Sequence, residues 1–597
     1  MTERDALRRR AEKWASEDPD QATQAELTAL IAESAGSQAA LDELSDRFAG
    51  KLEFGTAGLR GVLGAGPNRM NLAVVRAATA GLCQYLKETT PGWAERGICI
   101  GLDGRRMSRE FAEEAAMVAL GAGFTVRLFD RPVPTPVLGF ACTRTNAAAG
   151  IMITASHNPP EYNGYKVYWG NGAQIVPPHD EGIAACIDRC GPPSKISRLR
   201  LDEGVRQKRL STLGDEMEDA YHAKVRELVV SPSAPRDVVI AYTALHGVGT
   251  RPALRALKEA GFASVHGVAA QAEPDGAFPT VRFPNPEEKG AMDLVLALAN
   301  EVGADLVLAN DPDADRLAVA VKLGSPVATG SAVAKLEGGY QQLTGNDVGC
   351  LLAHYLLSQG DPSGRRLVVS SLVSSPMLGS IAAAHGARWE ETLTGFKWIA
   401  NRAIELEREG YRFVMGFEEA LGYTVGSLVR DKDGVGAALV VADMAAWCKS
   451  QGRTLLDELE LCHRRYGLYL SRQVSVTKKG QDGAKQIAAI MSAVRADPPK
   501  ALGDYQVIAV QDLERGTRVA ADGSTSALSF PSSNVIALEI EGGHRVMLRP
   551  SGTEPKIKYY FDVRAQVGEK EPVVSARERG EGIVEALVKA FVARVGS

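Results

Sequence analysis

Residues 304–321 read ADLVLANDPDADRLAVAV: an apolar run, a burst of acid, and a second apolar run. The first run has the length and composition of a buried strand, and the acid follows directly where such a strand would end. Asp311, Asp313 and Asp315 are spaced by two, so in a locally extended loop their side chains point to one side. Carboxylates this close repel, and a divalent cation held by oxygen ligands relieves the repulsion. A calcium-binding EF-hand loop is excluded, because Arg316 stands where its glycine belongs and Lys322 where its last glutamate belongs. The stretch therefore predicts a strand that delivers a metal-binding loop. The alternative is a patch of solvated surface acids.

Working outward, apolar β-type runs alternate with amphipathic helical stretches. The strand GICIGLD, a helix around Glu110 to Ala122 and the strand TVRLFD come before the acid loop, as does a second block opening at DVVIAYTALHGVGT. A third block runs from a helix at about Asn346 through RRLVVSSLVSS to YRFVMGFEEALGY. This alternation predicts α/β layering. From about Leu470 the rhythm changes to successive strand patterns followed by the helical GIVEALVKAFVAR, as expected of a smaller α+β unit. The residues before about Phe48 have helical spacing, and Gly191 to Arg209 reads as a surface excursion or loop.

The chain has 597 residues, too many for one core. A net charge of -5 carries no basic signature of nucleic-acid binding. The charged N-terminus MTERDALRRRAEKW is no secretory signal, and no segment reaches a membrane-spanning length. The expectation is a cytoplasmic protein with no nucleic-acid or membrane partner, working as a monomer or homodimer. The eight cysteines are scattered without CxxC pairs and read as buried thiols.

Four further stretches carry chemistry. Thr154 to Trp169, TASHNPPEYNGYKVYW, sets Ser156 beside His157 on a stiff turn after the apolar Gly150–Ile153; Ser156 is either turn punctuation or a nucleophile. In RPSGTEPK, Arg549 brings a forked donor, Ser551 and Thr553 bring hydroxyls, and Gly552 opens the backbone to an anion. That composition suits a phosphate loop or a plain hairpin. In GFEEALGY, Glu418 and Glu419 can accept from vicinal hydroxyls or cap a helix. Lys397 in TGFKWIA is either a partly desolvated amine or a snorkelling one, and Arg60 in FGTAGLRG sits in another phosphate-friendly setting.

With TASHNP, NDPDADR, GFEEALGY and RPSGTEPK in this order, the chain from about Lys51 onward resembles the α-D-phosphohexomutase superfamily, the phosphoglucomutases and phosphomannomutases. The resemblance implies three related α/β domains and a C-terminal α+β domain of the TATA-box-binding-protein-like fold around a central cleft. Their limits would be 51–235, 236–345, 346–468 and 469–597, after a helical segment 1–50. It implies that Ser156 carries a phosphoryl group and joins Asp311, Asp313 and Asp315 on Mg²⁺. Glu418 matches the sugar-hydroxyl contact, and Arg549, Ser551, Gly552 and Thr553 match the distal phosphate site. His157, Lys166, Lys397, Arg316 and Arg60 fall near transferring or bound phosphate. One departure is Ala420, where many hexose mutases have serine; the wording and the N-terminal helix are most similar to the phosphopentomutase-type phosphoglucomutase branch.

The implied reaction moves a phosphoryl group between the 1- and 6-positions of a hexose phosphate, through phospho-Ser156 and a sugar 1,6-bisphosphate that also serves as activator. Lys397 or His157 would be acid and base. Phosphopentomutase and sugar bisphosphate synthase activities are the enzymatic alternatives, and an inactive sugar-phosphate sensor the non-enzymatic one. No GxxxxGK[ST] loop is present, so P-loop chemistry is disfavoured.

Overall fold

A computed structural model describes residues 2–53, 58–323, 335–336, 339–478, 481–551 and 556–595. The chain forms two compact units. The first comprises residues 1–229, 236–318 and 422–442, and the second residues 230–235, 319–421 and 443–597.

In the first unit, strands Ile98–Leu102, Val126–Phe129, Ala149–Ile153 and Leu210–Leu213 run parallel; Tyr162–Trp169 and Leu59–Val62 continue the sheet antiparallel. Strands Ile98–Leu102 and Ala149–Ile153 are buried along their whole length, as strands covered on both faces must be. Helix Leu72–Thr89 shows why the covering elements form where they do. Asn71 caps it by accepting from the Val74 N–H, and Val75, Ala78, Leu82 and Leu86 recur at helical spacing to give one buried stripe. Strand Ile240–Thr243 pairs in parallel with Val265–Gly267 and Leu306–Asn310. Ala149–Ile153 and Leu306–Asn310 both end in the loops that carry the candidate chemistry, at the carboxyl ends where α/β sheets present ligands.

Two segments differ from the sequence reading. The leading residues, expected as a helical segment, divide into three short helices, Glu3–Glu17, Gln21–Glu33 and Gln38–Arg47. Capping side chains on Asp20 and Ser37 restart the helix each time, and Leu7, Ala11, Leu27, Leu44, Phe48 and Ala65 close a shared apolar cluster. The segment 191–209 is not simply a loop. It contains the helix Leu201–Arg206 and leads into Leu210–Leu213, which adds a strand to the first sheet.

In the second unit, strands Arg388–Thr392, Arg365–Ser371 and Tyr411–Glu418 are parallel. Helices Gly345–Gln359, Met377–Ala384, Phe396–Arg408 and Leu455–Tyr466 accompany them. From Leu468 an antiparallel sheet takes over, built on Leu468–Thr477, Lys556–Ala565, His544–Pro550, Ile536–Ile540 and Tyr505–Asp512. Helices Gln481–Ala496 and Val573–Val595 bury Ile487, Met491, Leu587 and Phe591 against it. Half-buried Arg545 joins this sheet to the α/β part: its guanidinium is 2.9 Å from both Glu391 and Asp562. No helix among the described residues is long and apolar enough to cross a membrane. All eight cysteines are free, and only Cys190 is not buried.

His222, on helix Asp215–Val225, is buried with neither ring nitrogen hydrogen-bonded. Burial, aided by the Arg255 charge, lowers its pKa to about 4. The unfolded chain, with an ordinary histidine, binds the extra proton first, so stability present above about pH 6.5 is lost as pH falls toward 4. We expect acidification from about pH 7.5 to about pH 5 to cost about 2 kcal/mol through this residue. In His222→Phe the denaturant midpoint should fall less over that range; equal falls in both proteins would contradict the assignment.

Candidate active site

The three aspartates lie in a turn, not in the extended loop expected from their spacing. Ala314 adopts a left-handed conformation (φ 54°), and its N–H donates to the Asp311 carbonyl at 2.9 Å. The turn brings oxygen atoms of Asp311, Asp313 and Asp315 within 4.8 Å of one another, all buried. Close backbone packing holds it. A Cβ on Gly247 would lie 2.3 Å from the Pro312 Cα, and one on Gly434 would lie 2.4 Å from the Arg316 carbonyl oxygen.

Buried negative charge on this scale needs compensation. Lys166 donates to Asp313 at 2.8 Å and Asp315 at 3.0 Å, and Lys432 lies 2.9 Å from Asp315. Thr135 donates to Asp313 at 2.6 Å. Burial would raise the Asp313 and Asp315 carboxyls, but Lys166, Lys432 and Thr135 outweigh it and hold both low. Asp311 is different: burial and the two neighbouring carboxylates push it well above the usual range. Asp313 Oδ1 and Asp315 Oδ1 are buried without a hydrogen-bond partner. Orphaned carboxylate oxygens beside a third carboxyl that is costly to ionise are what an oxygen-coordinated divalent cation remedies, so the donor set fits one.

Ser156 faces this turn. Its Oγ donates to Asp311 Oδ2 at 2.8 Å and lies 3.2 Å from His157 Nδ1. The serine is itself left-handed (φ 53°), a costly state for a non-glycine residue that surrounding contacts must hold in place. Its N–H donates to the Thr154 hydroxyl at 2.8 Å. Arg105 donates to the carbonyls of Ser156 at 2.6 Å, Pro159 at 2.8 Å and Tyr162 at 3.2 Å, as well as to that of Asn158. Burial and the charges of Arg316 and Arg60 hold His157 well below its ordinary pKa, so the ring is neutral near pH 7. Arg60 donates to the Asn158 side chain at 2.9 Å, and desolvation beside Arg316 lowers its pKa to about 10. Arg316 Nε is 3.9 Å from Asp315 and 4.0 Å from Asp311.

The second unit carries the remaining sequence candidates. Glu418 ends strand Tyr411–Glu418, and its Oε1 accepts from the Gly395 N–H at 2.7 Å, at the start of the helix that bears Lys397. Lys397 is buried, with its ammonium 5.8 Å from the Trp398 ring centre. Glu419 faces away from any open sugar-reading role: it accepts from the Ser371 and Ser374 hydroxyls at 3.2 Å each, and burial raises its pKa. Ala420 is partly exposed and precedes left-handed Leu421 (φ 61°). Arg549 lies near the end of strand His544–Pro550, and the Ser551 N–H donates to the Lys556 carbonyl at 2.7 Å. Tyr560 interacts electrostatically with Arg549, Glu418 and Glu419, which places these loops near each other. Gly552 and Thr553 lie outside the described residues.

Sequence reasoning missed Arg105, Asp103, Thr135 and Lys432. The DGR at 103–105 after a buried strand was a signal for the first two, and DKDG at 431–434 was one for Lys432. Asp431 accepts from Tyr168 and Gln174 at 2.6 Å each, while Asp433 accepts from Tyr221 at 2.7 Å.

Three family descriptions match the chain: phosphoglucomutase/phosphomannomutase α/β/α domain I over residues 51–191, domain II over 219–324 and domain III over 344–466. A probable phosphomannomutase of Haemophilus influenzae is 42% identical over 501 residues, 83% of this chain and 93% of its own. A probable phosphoribomutase of Schizosaccharomyces pombe is 37% identical over 575 residues, 94% of each chain. The human phosphopentomutase is 35% identical over 600 residues, 97% of this chain and 95% of its own. Among solved structures, a putative phosphomannomutase from Thermus thermophilus shares the fold with a TM-score of 0.63 at 22% identity, over 90% of this chain and 99% of that one. The arrangement of three α/β/α domains followed by a β-rich C-terminal part is thus the phosphohexomutase fold. The chain belongs to the phosphoglucomutase/phosphomannomutase family of the α-D-phosphohexomutase superfamily, and is an enzyme of the phosphosugar mutase type, an isomerase.

Proposed function

We propose that the enzyme interconverts aldose 1-phosphates and their terminal phosphates through a phosphorylated Ser156, with Asp311, Asp313 and Asp315 holding Mg²⁺. The observation that carries this reading is the 2.8 Å hydrogen bond from Ser156 Oγ to Asp311, which sets the hydroxyl against a three-carboxylate turn. When bound, Mg²⁺ neutralises charge on the phosphoryl oxygens during transfer. Charge balance agrees. Three aspartates meet three cationic side chains, Lys166, Lys432 and Arg316. A phosphoserine near −2 and a divalent cation then add together as a nearly neutral pair.

The rest of the reading follows the chain's own groups. Arg105 and the Thr154 hydroxyl fix the backbone on either side of Ser156, so the oxygen that accepts and gives up phosphoryl does not swing away. His157, neutral and 3.2 Å from Ser156 Oγ, is able to take up a proton there, and Lys397 is the second acid–base candidate. Arg316, Arg60 and Lys166 would meet the transferring phosphate, while Arg549 and Ser551, with Gly552 and Thr553, would hold the phosphate at the other end of the sugar. Glu418 would read hydroxyls shared by both orientations of a sugar 1,6-bisphosphate. The domain limits given by the sequence reading assign one of these loops to each of four domains.

For the sugar, we propose a hexose, glucose or mannose, moved between 1- and 6-phosphate. A pentose is the second reading. It is favoured by Ala420, which offers no hydroxyl, and by the relatives named phosphoribomutase and phosphopentomutase that align along 94% and 97% of this chain.

Intact-protein mass spectrometry of the purified enzyme should show one phosphate on Ser156 that substrate removes; an active enzyme never phosphorylated there would overturn the mechanism. Asp313→Asn is expected to lower kcat by at least about a hundredfold while the protein remains folded, and near-native turnover would remove the aspartate turn from the reaction. With a trace of bisphosphate activator, glucose, mannose, ribose and deoxyribose 1-phosphates are compared by kcat/KM. Ala420→Ser should then shift the hexose-to-pentose ratio toward hexose by about tenfold, the scale of one hydrogen bond; an unchanged ratio would show that position 420 does not choose the sugar.

A further inference from the structure

The second unit contains a buried cluster that the mutase chemistry does not use. Helix Gly345–Gln359 carries Cys350 and His354 one turn apart, and helix Leu455–Tyr466 carries Glu458 and Cys462 one turn apart. Residues four apart share a helix face, and these two helices pack together. Ligand-type atoms of His354, Glu458 and Cys462 all lie within 4.8 Å of one another, and all three residues are buried. Cys350 lies near Cys462.

Hydrogen bonds tie the cluster to its surroundings. His354 Nδ1 is 2.9 Å from the Tyr466 hydroxyl, which is also 3.0 Å from His385 Nε2. The Tyr466 hydroxyl thus bridges the two rings, and His354 Nε2 shares a hydrogen bond with Glu458 Oε1 at 3.0 Å, which gives way when Nε2 meets a cation. The other carboxylate oxygen, Glu458 Oε2, is buried and has no hydrogen-bond partner, although Arg453 stands 3.2 Å away. An imidazole nitrogen, a carboxylate and a thiol on one small volume form the mixed N, O, S donor set that zinc takes in four-coordinate sites.

We propose that His354, Glu458 and Cys462 form a structural zinc site that clasps helix Gly345–Gln359 to helix Leu455–Tyr466, with Cys350 or a water as fourth ligand. Binding forms a zinc–sulfur bond and releases the Cys462 thiol proton to solvent; no electron moves. Tyr466, by accepting from His354 Nδ1, fixes the ring so that Nε2 meets the ion, the usual outer-shell arrangement for a histidine ligand. The site is separate from the aspartate turn in both residues and chemistry: one offers sulfur and nitrogen beside a carboxylate, the other oxygen only.

Cobalt(II) distinguishes the two sites, because only a thiolate ligand gives the intense near-ultraviolet sulfur-to-cobalt charge-transfer absorption. The full-length protein, stripped with chelator and titrated with Co²⁺, should develop this band in proportion to protein, and added Zn²⁺ should abolish it. Asp313→Asn should keep the band, and Cys462→Ser should lose it. Should Cys462→Ser fail to fold, His354→Gln is read instead and should weaken the band's apparent Co²⁺ affinity by at least about tenfold. A native protein that shows no band, or a band that survives both cluster substitutions unchanged, overturns the proposal and leaves a hydrogen-bonded network without an ion.

Discussion

Three carboxylates buried within 4.8 Å of one another constrain the first unit. Two unit charges 4 Å apart interact by about 4 kcal/mol at the effective dielectric typical near a protein surface. The turn is therefore tenable only with cations on hand, and these come from separate parts of the chain. Lys166 comes from the antiparallel strand Tyr162–Trp169, Arg316 from the turn's own exit, and Lys432 from a segment far along the sequence. That last contribution explains why residues 422–442 belong to the first unit although their neighbours in sequence belong to the second. Gly434 permits the approach, since a side chain there would meet the Arg316 carbonyl, and its N–H donates to the Ala314 carbonyl at 3.2 Å.

The serine loop obeys the same logic with backbone in place of charge. A left-handed serine does not persist by its own preference. Arg105 is the reason it persists, because one guanidinium collects four carbonyls of the loop, and Asp103 at 3.4 Å offsets the charge of burying it. Pro159 and Pro160 narrow what the chain can do between those carbonyls. Rigidity here has a functional sense under the proposed mechanism, since a nucleophile that serves both ends of one substrate gains from a fixed position.

How much of this was legible depended on whether a feature was local. Strand and helix alternation is local, and the buried runs at Ile98–Leu102, Ala149–Ile153 and Leu306–Asn310 stand where their composition places them. The three aspartates were legible as a metal-type cluster from composition and position. Their conformation was not: a left-handed alanine at 314 has no sequence signature of the kind a glycine gives. Arg105, Thr135 and Lys432 stayed hidden because each acts through an ion pair or hydrogen bond to residues distant in sequence. The segment 191–209 misled for the opposite reason. Prolines and basic residues dominate its surface, while its short helix is held by the burial of Gly204 against Leu120.

The GFEEALGY loop shows where composition over-reads. Two adjacent glutamates suggested a pair of hydroxyl acceptors, yet Glu419 is committed to Ser371 and Ser374 and shapes the loop from beneath. A side chain on Gly345 would strike the Glu419 carbonyl oxygen at 1.9 Å, so the backbone at this point is packed as tightly as the carboxylate. Under the proposed mechanism Glu418 is then the acidic side chain of the pair that would meet a substrate, and its Oε1 accepts from the Gly395 N–H. Under the proposed reading, discrimination between sugars on this loop rests on Glu418 and whatever position 420 presents. A methyl group at 420 cannot reward a hydroxyl, and a site that makes few specific hydrogen bonds leaves few of its own groups unpaired when a smaller sugar binds. On this loop alone, tolerance of more than one sugar is the physical default, and strict preference would have to come from the phosphate contacts at the two ends of the substrate, which measure its length.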